Sequence, residues 1–535
     1  MSEAATRTTF LLVLLLIPPA VASPADDVLE GLSIVSIRVD PHDIFDLSNP
    51  KTKAWPYRWA NALHIISKED FIRSMLLFKE GDPYSESAAA ESARILRGLG
   101  IMNPVEIAAH RVPGGVEVMV ETHDQWTLKA GAQLGISGKR ADYSFDVEEE
   151  NLLGWGKSVT VAYDSNHERN SWSYRYFDPN VFNSRWRVNL VHADLSDGSQ
   201  DEVRVYRPFY SLATPWTWGV EGSRVKLIDH LYSESVSVVS GNSDTEHVRL
   251  WGGARLPGGS LIARRLVVGW EHRRDLFSNW TWEDDGSPYP PPEDRVIEGP
   301  SLSYEQIADS FIVVKGFRAW SVQEDVALGP NFDVATVVSL PAFGGDRRRL
   351  LLAGAGHAAR QKGNWLLLGD AWISGRLEES TAHNLVAGFQ VGAAQLGHRG
   401  WQMRLFAEGS QRLDRDRQLA LGADLGLRGW DPDYFDGTGR AVLNIQWRRL
   451  IKEEVLGLFS VGIVLFGDAG ATWNPRVGPD TDGIRLDAGV GLLFDLAHLG
   501  RSTLLRVDAA VPDDGTGITI TVSTSTLFRL PVRLR

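Results

Sequence analysis

From Trp126 onward, apolar and polar residues alternate with a period of two, in short segments separated by clusters of Gly, Asp, Asn and Pro. That period puts successive side chains on opposite faces of a strand. The clearest case is VGIVLFGDAG at Val461 to Gly470. Val461, Ile463 and Leu465 share one face; Gly462, Phe466, Asp468 and Gly470 share the other. Trp186, Val188 and Leu190 alternate with Arg185, Arg187 and Asn189, and Ala441, Leu443, Ile445 and Trp447 with Asn444, Gln446 and Arg448. Ile484 to Phe494 sets six apolar residues against Arg485, Asp487 and two glycines. Thr503, Leu505, Val507 and Ala509 oppose Arg506 and Asp508, and the last segment runs from Ile518 to Phe528 with Ile518, Ile520 and Val522 in its outward phase.

These segments are about ten residues long, the length a tilted strand needs to cross a bilayer. An oily face opposite one bearing glycine and carboxylate fits a wall with lipid outside and a polar interior. A charge on the lipid side would cost ~2–4 kcal/mol at the midplane, and the C-terminal segments keep their charges on the other side. Between Gly252 and Gly400 the phase does not resolve each strand. The roughly 400 residues after Trp126, at about 25 per strand and loop, give about sixteen strands. The competing reading of the alternation is a soluble periplasmic β-sandwich.

The first 126 residues follow other rules. Arg7, the apolar run Phe10 to Ile17 and Ala20-Val21-Ala22 predict a secretory signal peptide over 1–22. Residues 28–126 predict a small α+β unit. Leu32 to Val39 alternates as a strand. Ser67 caps a helix carrying Phe71, Ile72, Met75 and Leu76, and Ser85 caps a second with Ile95, Leu96 and Leu99, closed by Gly98 and Gly100. Val105 to Arg111 and Val116 to Glu121, joined at Pro113-Gly114-Gly115, make a hairpin. Residues 127–535 form the barrel.

Composition narrows the chemistry. The absence of cysteine rules out disulfides, thiolate metal sites and a thiol nucleophile. A formal net charge of −13 argues against nucleic acid as a partner. The 19 Trp and 12 Tyr suit aromatic girdles, and Pro288 to Pro292 beside Glu283, Asp284 and Asp285 reads as an exposed loop. No zincin motif, P-loop or nucleophile elbow is present in the sequence, and the 13 histidines are scattered. The expectation is a protein that is not an enzyme and needs no cofactor or metal.

Several stretches together carry a family likeness. They are FIRSMLLFKEGDPYS at Phe71 to Ser85, ESARILRGLG at Glu91 to Gly100, VEVMVETHDQW at Val116 to Trp126 and NLLGWGKSV at Asn151 to Val159. With them go Leu427-Arg428-Gly429-Trp430, the G-x-x-x-F-x-D-x-G strand formed by Gly462, Phe466, Asp468 and Gly470, and Arg506-Val507-Asp508. In this order they resemble the Omp-eighty-five superfamily (the bacterial surface antigen family, with BamA and TamA among its members) over nearly the whole mature chain. The resemblance implies a transmembrane antiparallel β-barrel in the bacterial outer membrane behind one POTRA-like periplasmic domain. It implies that the loop at Arg428, Gly429 and Trp430 folds into the barrel, that Arg428 meets Asp468, and that five strands follow that loop. Asp487 and Asp508 share the inward phase and compete for the arginine.

The function implied is insertion or translocation of polypeptides, with outer-membrane lipid, an unfolded or extended client and accessory envelope proteins as partners. A client strand would add to an edge in Val105–Arg111 or Val116–Glu121. A weak seam would lie between a first strand near Leu152 to Tyr163 and a last near Ile518 to Phe528. The alternative is a passive channel or structural surface antigen. The chain departs from the family pattern in having one POTRA-like unit and a seven-residue tail, Arg529 to Arg535, after Phe528.

Overall fold

The alternating segments form one continuous antiparallel sheet that closes on itself. In the computed structural model, the described residues are 29–48, 53, 55–137, 140–166, 168–259, 261–455, 459–478, 483–496, 504–515, 517–523 and 527. The expected signal peptide, Phe528 and the tail after it lie outside them. Strands β4 (Leu128–Ser137) to β13 (Arg295–Ala308) pair in sequence order, as do β16 (Asn331–Ser339) to β25 (Thr519–Ser523); β13 pairs with β16 and β25 stands beside β4. The intervening β14 (Phe311–Val314) and β15 (Glu324–Ala327) form a separate hairpin.

The ring holds twenty strands among the described residues, which corrects the expectation of about sixteen. The allowance of 25 residues per strand was too generous for the turns. Only Glu379 and Ser380 connect β18 (Trp365–Glu378) to β19 (Thr381–Gln395), and both adopt positive φ, 45° and 75°. That conformation matches the twist of the flanking strands in a two-residue hairpin. Strand length also departs from ten. β10 (Trp216–Ser233), β11 (Val236–Arg255) and β12 (Ile262–Trp282) have 18, 20 and 21 residues and raise one side of the wall. The stretch from Gly252 to Gly400, unresolved by sequence phase, contains the end of β11 through β19 and the start of β20 (Arg399–Gln411).

The predicted phase of the C-terminal strands is the observed one. On β22 (Phe459–Trp473) every second residue from Ser460 to Gly470 is buried, while Leu465 is 50% exposed. On β23 (Arg485–Asp495) Leu486, Val490 and Leu492 are exposed and Asp487 is buried; on β24 (Leu504–Pro512) Arg506 and Asp508 are buried. On these strands the outward face is apolar, and the inward face carries Asp468, Asp487, Arg506 and Asp508 among apolar residues such as Val464 and Leu493.

The N-terminal unit comprises β1 (Ile34–His42), α1 (Trp55–Leu63), α2 (Glu69–Met75), α3 (Glu86–Gly98), β2 (Met102–Val112) and β3 (Gly115–Asp124). Its sheet order is β1-β3-β2, with β1 parallel to β3 and β2 antiparallel to it. Phe71, Ile72, Met75 and Leu96 from the helices pack on Val116, Val118 and Val120 of β3. Three expectations change. The helix α1 was not foreseen, although Trp55, Trp59 and Leu63 recur every four residues; all three are exposed. The N-cap position of α2 is Lys68, not Ser67, and no side chain caps it; the Ser67 N–H donates to Asp124 at 2.7 Å. Val116–Glu121 lies in the central strand, paired on both sides, so only Val105–Arg111 of the two proposed edges is an edge.

The segment NLLGWGKSV is not a first barrel strand either. It is the turn between β5 (Arg140–Leu152) and β6 (Lys157–Ser165), and β4 opens the barrel. The turn seats the N-terminal unit. A Cβ on Gly154 would come 2.6 Å from the Ile66 carbonyl oxygen, and one on Gly156 would come 2.3 Å from the Phe71 ring. Asn151 Nδ2 donates to Ser67 Oγ at 3.0 Å, and the Lys68 N–H to the Gly154 carbonyl at 2.9 Å. Asparagine and glycine are thus required by the close approach of two backbones.

Candidate functional site: a lock across the barrel interior

The interior is filled from both ends. From the end remote from the N-terminal unit, residues 412–438, between β20 and β21 (Gly439–Val455), fold inward. Tyr434 and Pro432 carbonyls bind Glu234 N–H and Ser235 Oγ at the β10–β11 turn, and Gln418 exchanges hydrogen bonds with the Tyr232 backbone. Asp414 takes Arg295 at 3.0 Å and Arg376 on its two oxygens. The loop is therefore held by its base before its tip reaches the wall.

At the tip, Arg428 Nε and Nη2 donate to the two oxygens of Asp468, each at 2.8 Å. Its Nη1 donates to Gln446 Oε1 at 3.2 Å, and its guanidinium lies 3.6 Å over the Phe466 ring. Arg428 and Asp468 are both buried. Asn444 Nδ2 supports the pair, donating to Asp468 Oδ1 at 2.7 Å and to the Gly426 carbonyl at 2.6 Å. A bidentate guanidinium–carboxylate pair fixes direction as well as distance. Of the expected competitors, Asp508 stands 3.8 Å from Arg428 and is engaged by Arg506 Nε at 2.7 Å. Asp487 instead packs on Gly429, where a Cβ would come 2.6 Å from its own Cβ and 3.1 Å from Pro512 N. Glycine follows the arginine because no side chain fits. Trp430 is buried against Tyr434 and Phe435, with centroids at 5.1 and 4.8 Å, so it belongs to the loop's own core and not to a girdle.

From the other end, the β14–β15 hairpin enters the barrel. Arg448, fully buried, donates to the carbonyls of Gly316, Phe317 and Arg318. Asp495 accepts from the N–H groups of Trp320 and Ser321 and from Ser321 Oγ. The hairpin also binds the N-terminal unit: Arg97 on α3 pairs bidentately with Asp325, at 2.9 and 2.6 Å, and Arg94 stacks 3.8 Å over Phe311. Sequence reading missed this second closure. Its signal was Gly462. A Cβ there would meet the Trp320 ring at 2.4 Å, whereas one on Gly470 would meet Leu421 at 2.9 Å and Leu427 at 3.3 Å. The two glycines of the motif strand make room for two different plugs.

A row of side chains joins the plugs. Gln402 Nε2 donates to the Phe317 carbonyl at 2.7 Å, Gln446 Nε2 to Gln402 Oε1 at 2.7 Å, and Arg428 to Gln446 Oε1. Gln402 and Gln446 face each other across β20 and β21. The loop tip also reaches the last strand, because Thr519 Oγ1 on β25 donates to the Gly429 carbonyl at 2.8 Å. All nine residues named from sequence (Arg428, Gly429, Trp430, Gly462, Phe466, Asp468, Gly470, Arg506 and Asp508) thus line one stretch of interior wall or the loop against it. The arrangement contains no nucleophile–base pair; what it does chemically is hold a loop in a channel.

No family model and no curated protein matches the chain. Among solved structures it is similar to BamA from Haemophilus ducreyi lacking POTRA domains 1–3, at 12% identity, over 92% of this chain and 83% of that one, with a TM-score of 0.36. It is similar to CdiB from Escherichia coli at 12% identity, over 92% and 76%, TM-score 0.46. It is similar to the FrpB iron transporter from Neisseria meningitidis at 10% identity, over 79% and 84%, TM-score 0.38. These likenesses are too distant to assign residues. The chain's own geometry puts the arginine of the inward loop on the wall aspartate and, among the described residues, five strands after that loop, two features that the motif resemblance implied.

Proposed function

We propose that this chain is an outer-membrane protein that inserts or translocates polypeptides, exported by a signal peptide over 1–22. Its POTRA-like domain (28–126) lies in the periplasm and its barrel (127–535) spans the membrane. The observation that carries this reading is the double attachment of the loop tip, to Asp468 in the wall and to Thr519 in the last strand. A passive channel needs an open interior; this one is filled by two segments tied to each other. β25 stands beside β4 where the ring closes, and that junction would be the place to part.

In this reading an extended client pairs with the β2 edge at Val105–Arg111 by strand addition. Its arrival shifts α3, which carries Asp325 and the hairpin with it. Through Gln402 and Gln446 the shift reaches Arg428, and through Gly429 it reaches β25. Client folding supplies the free energy; no cofactor, catalytic residue or nucleic acid takes part, and accessory envelope proteins would deliver the client.

Conductance across planar bilayers tests the gated reading against the passive one. Wild-type protein is expected to stay closed, and deletion of 311–327 combined with Arg428→Ala to give steady ion current. A wild type that conducts continuously, at the level of the doubly altered protein, would overturn gating in favour of the passive pore.

A further inference from the structure

The far ends of β1 and β3 carry a cluster that neither the barrel nor the lock uses. The strands run parallel, with Asp40 opposite Glu121 and His42 opposite His123. Residues two apart on a strand share a face, so the four side chains stand as a two-by-two square on one face of the sheet. The alternate positions Thr122 and Asp124 are buried on the other side, where Asp124 binds His64 at 2.9 Å and the Ser67 N–H.

The donor atoms converge. His42 Nε2 and His123 Nε2 lie 3.4 and 3.2 Å from the same oxygen, Glu121 Oε1, and Asp40 Oδ2 lies 3.8 Å from His42 Nε2. The imidazoles stack with centroids 4.6 Å apart and planes 16° from parallel. One ligand atom from each of His42, Glu121 and His123 falls within 4.8 Å of the others. Zinc holds nitrogen and oxygen donors at ~2.0–2.1 Å in a tetrahedron, whose corners are then about 3.3 Å apart. Two of the three measured separations match that edge and the third is within reach of a side-chain rotation.

A second feature points the same way. His42 Nε2 is shielded from solvent yet has no hydrogen-bond partner, although a carboxylate oxygen is 3.4 Å off. A shielded polar nitrogen left unpaired is destabilising, and coordination would satisfy it without hydrogen-bond geometry. Two imidazoles with carboxylates select zinc, copper or nickel over calcium or magnesium.

We propose that Asp40, His42, Glu121 and His123 form a binding site for a divalent transition-metal ion of the zinc class, clamping β1 to β3. The clamp would act on the barrel, since β3 ends three residues before β4, the strand beside β25.

The test uses the full chain in detergent, without a histidine tag, titrated with zinc against a chromogenic chelator and with cobalt as a spectroscopic probe. One ion per chain and the strong visible absorption of four-coordinate cobalt are expected. His42→Ala/His123→Ala should weaken zinc binding by about 100-fold or more, since it removes two ligands. Glu121→Gln, which keeps the side-chain shape, should weaken it as well and guards against misfolding of the double variant. No stoichiometric zinc on the wild type, or equal affinity in all three proteins, would overturn the proposal.

Discussion

Arg428→Ala is expected to release the interior loop and to cost the fold more than any other single substitution in the lock. It strips Asp468 of its bidentate partner while leaving the carboxylate buried, with Asn444 as its remaining donor. Removing one member of a buried ion pair costs ~3–5 kcal/mol, because the surviving charge stays out of water. Gln446 and the Phe466 face lose their contact with the guanidinium at the same time. Urea unfolding in detergent, followed by heat-modifiable migration, should show the drop. Arg428→Lys should recover only part of it, since an ammonium is a point charge and cannot match both oxygens. Asp468→Ala/Arg428→Ala should be less damaging than the sum of the single changes. Additive losses would mean that the two residues stabilise the barrel independently.

The second large effect is expected at the seam. The chain has no cysteine, so a pair introduced between β4 and β25 forms the sole disulfide. If clients pass by parting these strands, oxidation should reduce insertion or secretion to background, and reductant should restore it. The same pair placed between β22 and β23, strands joined along most of their length, should leave activity intact. Full activity with a crosslinked seam would remove lateral opening and leave passage through the interior.

The parts of this architecture legible in the sequence are those governed by local period and by motif. Alternation on β22, β23 and β24 set the faces of Leu465, Asp468, Asp487, Arg506 and Asp508 because lipid and interior impose opposite rules on neighbouring residues. Arg428 and Asp468, forty positions apart, were paired by family resemblance and not by period. What stayed hidden depends on long-range pairing. The central place of β3 follows from a parallel pairing with β1, across three helices, that no local pattern records. The two-residue turns that raise the strand count carry ordinary residues such as Glu379 and Ser380 in left-handed geometry, not the Asn-Gly that such turns favour. The β14–β15 hairpin lies in the stretch whose phase does not resolve each strand, because Phe317 and Trp320 are buried by the barrel interior and not by a periodic neighbour. In NLLGWGKSV the glycines reported a docking turn, which a strand assignment had absorbed.

Everything rests on an exterior that touches lipid and an interior that touches water or the plugs. Asn189 and Leu190 are adjacent on β8 (Trp186–Leu195): Asn189 lines an interior cavity of about 820 Å3 beside α3, whereas Leu190 is exposed outside. Spin labels at Asn189→Cys, Leu190→Cys and Leu465→Cys in proteoliposomes report each environment by collision with lipid-soluble oxygen or a water-soluble nickel complex. Labels at 190 and 465 should favour oxygen and the label at 189 nickel. Nickel access at 190 and 465, with oxygen favoured at 189, would contradict the barrel and the function built on it.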